Sequence, residues 1–127
     1  MRKQYHFWPS QRGLQAWDID RLVELSRNFP VKKIAVDAIR ELDEVYWFGD
    51  DDEKPTCRRV LEHIALIEET DLSFPIILAA DGRVMDGMHR VAKAVLEEIN
   101  TVDAVRFESD PEPDHVGRNP SELPYDR

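Results

Sequence analysis

Apolar positions along this chain switch between two periods, and the switches mark out its elements. Leu14, Trp17, Ile19, Leu22, Val23 and Leu25 recur at helical intervals, with Asp18 and Asp20 available as caps. This predicts a helix ending near Asn28, ahead of Phe29-Pro30. Residues 31–36 are rich in β-branched side chains and predict a strand. Residues 38–48, entered through Asp37, predict a short helix or turn. Pro55-Thr56 opens a second helix running to Glu69, with the proline near the first helical position. Its Val60, Leu61, Ile64 and Ile67 form one apolar face, and Arg58, Arg59, Glu62 and Glu68 stay wet. Burying those four apolar side chains would contribute roughly 1.5–3 kcal/mol each before entropy is counted.

The densest patterning lies between residues 76 and 107. Residues 76–80 read as a buried strand, Asp81-Gly82 as a hairpin turn and residues 83–85 as the return strand. Residues 88–98 follow as a helix packing through Val91, Ala94, Val95 and Ile99, and residues 101–107 alternate as a last strand. The fold class is α/β or α+β, a small mixed sheet with packed helices. Residues 1–13 read as an irregular arm carrying Tyr5, Phe7 and Trp8 with the breakers Pro9 and Gly13. Residues 14–108 form a single domain. Residues 109–127 hold Pro111, Pro113, Pro120 and Pro124 in a polar stretch, a tail with too little apolar surface to build structure alone. It is expected to be extended or disordered. The acidic run 49–54 reads as a solvated loop, without the spacing or flanking helices of an EF-hand.

Composition narrows the classes. A length of 127 residues, 42% of them hydrophobic, suits one core. Against 17 basic residues stand 26 acidic ones, a formal charge of -9. Direct DNA binding is therefore unfavoured, because it rests on neutralising phosphates. Cys57 is alone, so no intramolecular disulfide forms, and it reads as a small packing residue before a nucleophile. The first residues lack the apolar core of a signal peptide, and no run approaches the roughly 20 apolar residues that span a bilayer. A cytoplasmic chain with no membrane association is the expectation.

Chemistry concentrates in Asp81-Gly-Arg-Val-Met-Asp-Gly-Met-His-Arg90. A tight turn, a return strand and a glycine loop lead into a helix start, where unpaired N–H groups and the positive dipole end favour an anion. Gly87 serves either a close ligand approach or a turn of positive φ. Arg90 either clamps phosphate or pairs with a carboxylate, and His89 either orients the loop or touches ligand. Asp86 reads either as a cap for the helix or as a metal- or substrate-binding carboxylate. His63 leans toward the buried edge of its helix and reads as a structural histidine. Trp47 and Phe48 serve either base stacking or packing, and Arg58 and Arg59 read as solvent-facing.

The order strand, acidic turn, helix, hairpin, Gly87-Met-His-Arg90 at a helix start and final strand resembles the ParB N-terminal/sulfiredoxin-like superfamily, over residues 31–107. Sulfiredoxins carry Gly-Cys-His-Arg in that box, and ParB proteins Gly-Glu-Arg-Arg. The resemblance extends to a group of small bacterial ParB-like proteins. It implies that Gly87, Met88, His89 and Arg90 bind the phosphates of a nucleotide, ATP or CTP with Mg2+. Met88 stands where sulfiredoxin has its catalytic cysteine, and a thioether supplies no thiolate, so that reaction is lost. ParB clamps also need a DNA-binding domain and a dimerisation tail, and neither is expected within these 127 residues.

Glu41, Asp43 and Glu44 follow the first strand, where serine kinases of the superfamily place an acidic catalytic residue. Clustered carboxylates can act as a base or hold Mg2+ beside a phosphate; otherwise they form a solvated acidic turn. No set of residues reads as a dedicated metal site. The expectation is a domain binding a nucleotide or phosphorylated small molecule, with phosphoryl transfer or nucleotide hydrolysis as the reaction class if it is an enzyme. Two alternatives stay open: a non-catalytic protein-interaction module that retains the fold, and a ParB-like DNA-associated or nuclease domain.

Overall fold

The computed structural model describes residues 2–49 and 54–126. The chain opens with an antiparallel hairpin, β1 (Tyr5–Ser10) and β2 (Gly13–Asp18). Helix α1 (Ile19–Ser26) follows without a linker, because Asp18 both ends the strand and caps the helix, accepting from the Asp20 N–H at 2.9 Å. Strand β3 (Lys32–Ala35) leads into two 3-10 turns, Val36–Ala38 and Arg40–Asp43. Helix α2 (Cys57–Glu69), strands β4 (Ile76–Leu78) and β5 (Val84–Asp86), helix α3 (Met88–Leu96) and strand β6 (Thr101–Arg106) come next. A short strand β7 (His115–Val116) and a 3-10 turn, Pro120–Glu122, complete the described chain.

The fold is α+β. One sheet has the order β3-β6-β4-β5, in which β6 and β4 are parallel and the outer pairs antiparallel. The second has the order β1-β2-β7, all antiparallel. Alternation along the central strands buries both faces of the larger sheet, as near-continuous apolar runs require. Ile76, Leu78, Val84, Val102 and Ala104 meet Met88, Val91 and Ala94 of α3. Ile77, Met85, Val105 and Phe107 meet Trp17 of the hairpin and Leu22 of α1. The Asp81-Gly82 turn forms as read from the sequence, with the Gly82 N–H donating to Ala79 O at 2.9 Å and Asp81 accepting from the Arg83 N–H at 3.0 Å.

Several elements differ from the sequence reading. The arm is strand β1, whose six residues pair with β2; Pro9 is tolerated because β1 lies at a sheet edge. The helix expected from Leu14 starts only at Ile19, since Gly13–Asp18 bonds to strands on both sides. The tail expected to be extended or disordered is folded onto this hairpin. Gln15 pairs with Val116 and Ala16 with His115, Trp17 Nε1 donates to Pro111 O at 2.8 Å, and Leu123 is buried. The Lys3 N–H bonds Tyr125 O, and Tyr5 Oη donates to Pro124 O. Close approach of the tail also fixes Gly13: a Cβ there would lie 2.8 Å from Gly117 Cα.

Strand β4 ends at Leu78 rather than Ala80, and β5 is shifted one residue forward, to Asp86. Pro55 lies outside α2, and Thr56 caps it by accepting from the Arg59 N–H at 3.2 Å. Of the α2 face expected to be buried, only Ile67 is; Val60, Ile64 and Leu61 are 38%, 42% and 63% exposed. Helix α3 stops at Leu96, and Val95, within it, and Ile99, beyond it, are exposed rather than packed. Most of the acidic loop, residues 50–53, lies outside the described residues. Among the described residues no helix is long and apolar enough to cross a membrane.

Candidate functional site

Strand β5 ends at Asp86, and the chain turns through Gly87 into α3. Gly87 has φ 114°, a left-handed conformation that strains other residues. A Cβ there would lie 2.6 Å from Ile76 Cγ2 and 3.0 Å from Arg90 Nη2. Packing of β4 against the loop thus demands glycine on its own account. No side chain caps α3 among the described residues. Its first turn opens on a cavity of about 140 Å³ lined by Gly87, Met88, His89, Tyr46, Trp47 and His6, with others. A groove of about 570 Å³ shares Tyr46, Trp47 and Met88 with that cavity and extends over Phe48 and Lys54.

The four residues of the box divide between different tasks. Met88 is buried in the core between α3 and the sheet. His89 Nε2 lies 2.9 Å from His63 Nδ1, and the Trp47 indole stacks over both imidazoles at centroid distances of 4.6 Å. One face of Trp47 is therefore occupied. Burial, then the neighbouring His63 and Arg90, push the His89 pKa down to about 4, so its imidazole is neutral at pH 7. Arg90 turns away from this cavity. Its Nη2 donates to Asp86 at 3.2 Å and to Pro75 O at 3.3 Å, and with Asp86 it borders a separate cavity beside Phe74 and Val23. Asp86 is thus an ion-pair partner in β5 and not the cap of α3.

The three carboxylates also separate. Glu41 is 6% exposed, and its Oε2 accepts from the Val84 N–H at 2.6 Å, closing the free edge of β5. Glu44 borders the groove and lies 3.9 Å from Arg40. Asp43 is exposed in the 3-10 turn and does not border the groove. Tyr46, 36% exposed overall, has its hydroxyl pushed up to about 12, by burial first and then by the Glu41 and Asp86 carboxylates. It remains a donor throughout the physiological range.

His6 and Tyr46 complete this corner and were not singled out from sequence. His6 is buried from β1, and its Nε2 has no hydrogen-bond partner among the described residues. Burial and then the Arg83 charge push its pKa down to about 4. The signal for it was present in the β-prone run Tyr5-His-Phe-Trp8, which places His6 and Trp8 on one face of a strand. Chemically, the corner offers backbone N–H groups and neutral donors to an anion, with carboxylates nearby. Among the described residues no three His, Cys, Asp or Glu side chains converge to hold a metal ion. No protein-family model matches the chain, and neither does any curated protein or solved structure.

Proposed function

We propose that this chain binds a nucleotide or another phosphorylated small molecule, with the phosphate on the N-terminal turn of α3 and the rest of the ligand along the groove beside Tyr46 and Phe48. The observation that carries the reading is the uncapped start of α3 opening on a cavity continuous in its lining with a larger aromatic groove. Backbone N–H groups and the helix dipole supply the anion seat. With His89 neutral and Arg90 paired to Asp86, affinity rests on those groups and is modest. Mg2+ would arrive on the phosphates of ATP or CTP, which supply the oxygen ligands it prefers. If chemistry follows, phosphoryl transfer or nucleotide hydrolysis is the reaction class, with Glu41 and Glu44 the carboxylates bordering the groove.

Calorimetry with ATP, CTP and GTP in the presence of Mg2+, alongside amide chemical shifts, tests this. Binding should shift the amides of Gly87, Met88 and His89 first, and inorganic phosphate alone should move the same three. Silence from all of these ligands at millimolar concentration would end the reading. A second reading, a protein-interaction module without catalysis, is favoured by one specific observation: the exposed apolar side chains of α2.

A further inference from the structure

We infer that α2 is a two-fold interface, on which a second copy of this chain seats its own α2 in antiparallel orientation. Cys57, Leu61, Ile64 and Glu68 follow each other at intervals of four, three and four residues and so share one stripe of the helix. All four are exposed, with Leu61 at 63%. This stripe lies to one side of the buried Ile67, so α2 packs on the body by one edge and leaves its apolar centre uncovered.

The charges say what covers it. The first turn of α2 carries Arg58 and Arg59 and no acid, while the last carries Glu68 and Glu69 and no base. Both ends thus oppose the helix's own dipole, which favours acids at the N-terminus and bases at the C-terminus. Within the chain, Lys93 reaches the Glu68 and Thr70 carbonyls at 3.1 and 2.8 Å, but Arg58, Glu68 and Glu69 form no ion pair among the described residues. An antiparallel copy reverses the arrangement. With the two-fold axis between Leu61 and Ile64, Arg58 of one chain comes within a turn of Glu68 and Glu69 of the other, and each helix start meets the other's negative end. The stripe is thereby complementary to itself in shape and in charge. Each copy carries -9, but that repulsion is screened beyond a Debye length of about 8 Å at physiological salt, whereas pairs in contact are screened much less.

Sedimentation velocity on the full chain over a wide concentration range should show a reversible dimer. Arg58→Glu removes two symmetric pairs and should weaken it by about tenfold. Adding Glu68→Arg and Glu69→Arg to that variant should restore it. A chain that stays monomeric at every concentration, or a combined reversal that stays weak, overturns the inference. The orientation has its own test. Across the axis two Cys57 residues stand about 16 Å apart, from a rise of about 1.5 Å per residue, too far for a disulfide. Wild-type chain should therefore not cross-link on mild oxidation, while Glu68→Cys, which sets a thiol opposite Cys57 of the second copy, should. Cross-linking of wild type through Cys57 would overturn the antiparallel arrangement. All these positions are exposed, so an unchanged thermal transition in dilute solution confirms that each variant is folded.

Discussion

The hairpin with its returning tail and helix α2 resolve the same problem in opposite ways. Residues 2–18 and 110–126 are rich in polar positions, and the second also in proline, yet they bury Trp17, His6 and Leu123 and satisfy their backbone across nearly the whole length of the chain. Helix α2 has the clean amphipathic pattern that ordinarily marks a core helix, yet most of its apolar stripe faces outward. Apolar periodicity says that a face will be covered, not by what. Polar composition, conversely, does not keep a segment unfolded when another segment supplies the apolar surface. In the tail that surface is lent by the aromatic rings of β1 and β2, with the open edge of β2 accepting two residues of β7.

The sharpest way to break this comparison is Trp17→Ala. The indole is 3% exposed between the two sheets and its Nε1 bonds Pro111 O, so one substitution removes core volume and a tail anchor together. A loss of about 3–5 kcal/mol in urea unfolding is expected, with faster amide exchange at Val116 and Gly117. A cost below about 1 kcal/mol would mean that the hairpin rides on the sheet without supporting it.

Acid should expose the same layer more gently. His6 has a folded pKa of about 4, below the unfolded value of about 6.5, so the unfolded chain binds the proton first. Its contribution is complete above about pH 6.5 and is lost as pH falls toward 4, to a total of about 3 kcal/mol. His89 titrates in the same window, so the readout is a difference between two chains. Between pH 7 and pH 4, His6→Phe should lose about 3 kcal/mol less than wild type does. Parallel stability profiles for the two proteins would show that His6 is charged, or solvated, in the folded state.

What could be read from sequence follows the range of the interactions. Strands β4, β5 and β6 and helix α3 were legible because the alternation of Ile76 to Val105 and the spacing of Met88, Val91 and Ala94 are local patterns. The Asp18 cap was legible for the same reason. The hairpin was not, because Leu14, Trp17 and Leu22 fit a helical interval as well as a strand leading into a helix, and only pairing with residues 5–10 and 115–116 decides between them. The Gly87 corner was visible as a motif, but its partners were not. Glu41 meets the Val84 N–H across 43 positions and His63 meets His89 across 26, and neither separation leaves a periodic trace. Arg90 is the exception. Its partner Asp86 lies only four residues away, but in strand β5 rather than on the same helix, so the box pointed to a phosphate clamp where the fold makes an ion pair.

The smallest expected effect is the most diagnostic for α2. Leu61→Gln replaces the most exposed apolar side chain of the stripe with one of nearly equal helix propensity. In dilute solution, where copies are apart, its unfolding free energy should stay within about 0.5 kcal/mol of wild type. At high concentration the wild type gains stability from association and the variant does not, because only the folded dimer buries that side chain. The two unfolding curves should therefore coincide when dilute and separate as concentration rises. A loss of about 2 kcal/mol or more in the dilute variant would mean that the chain itself covers Leu61, and α2 would then belong with the hairpin after all.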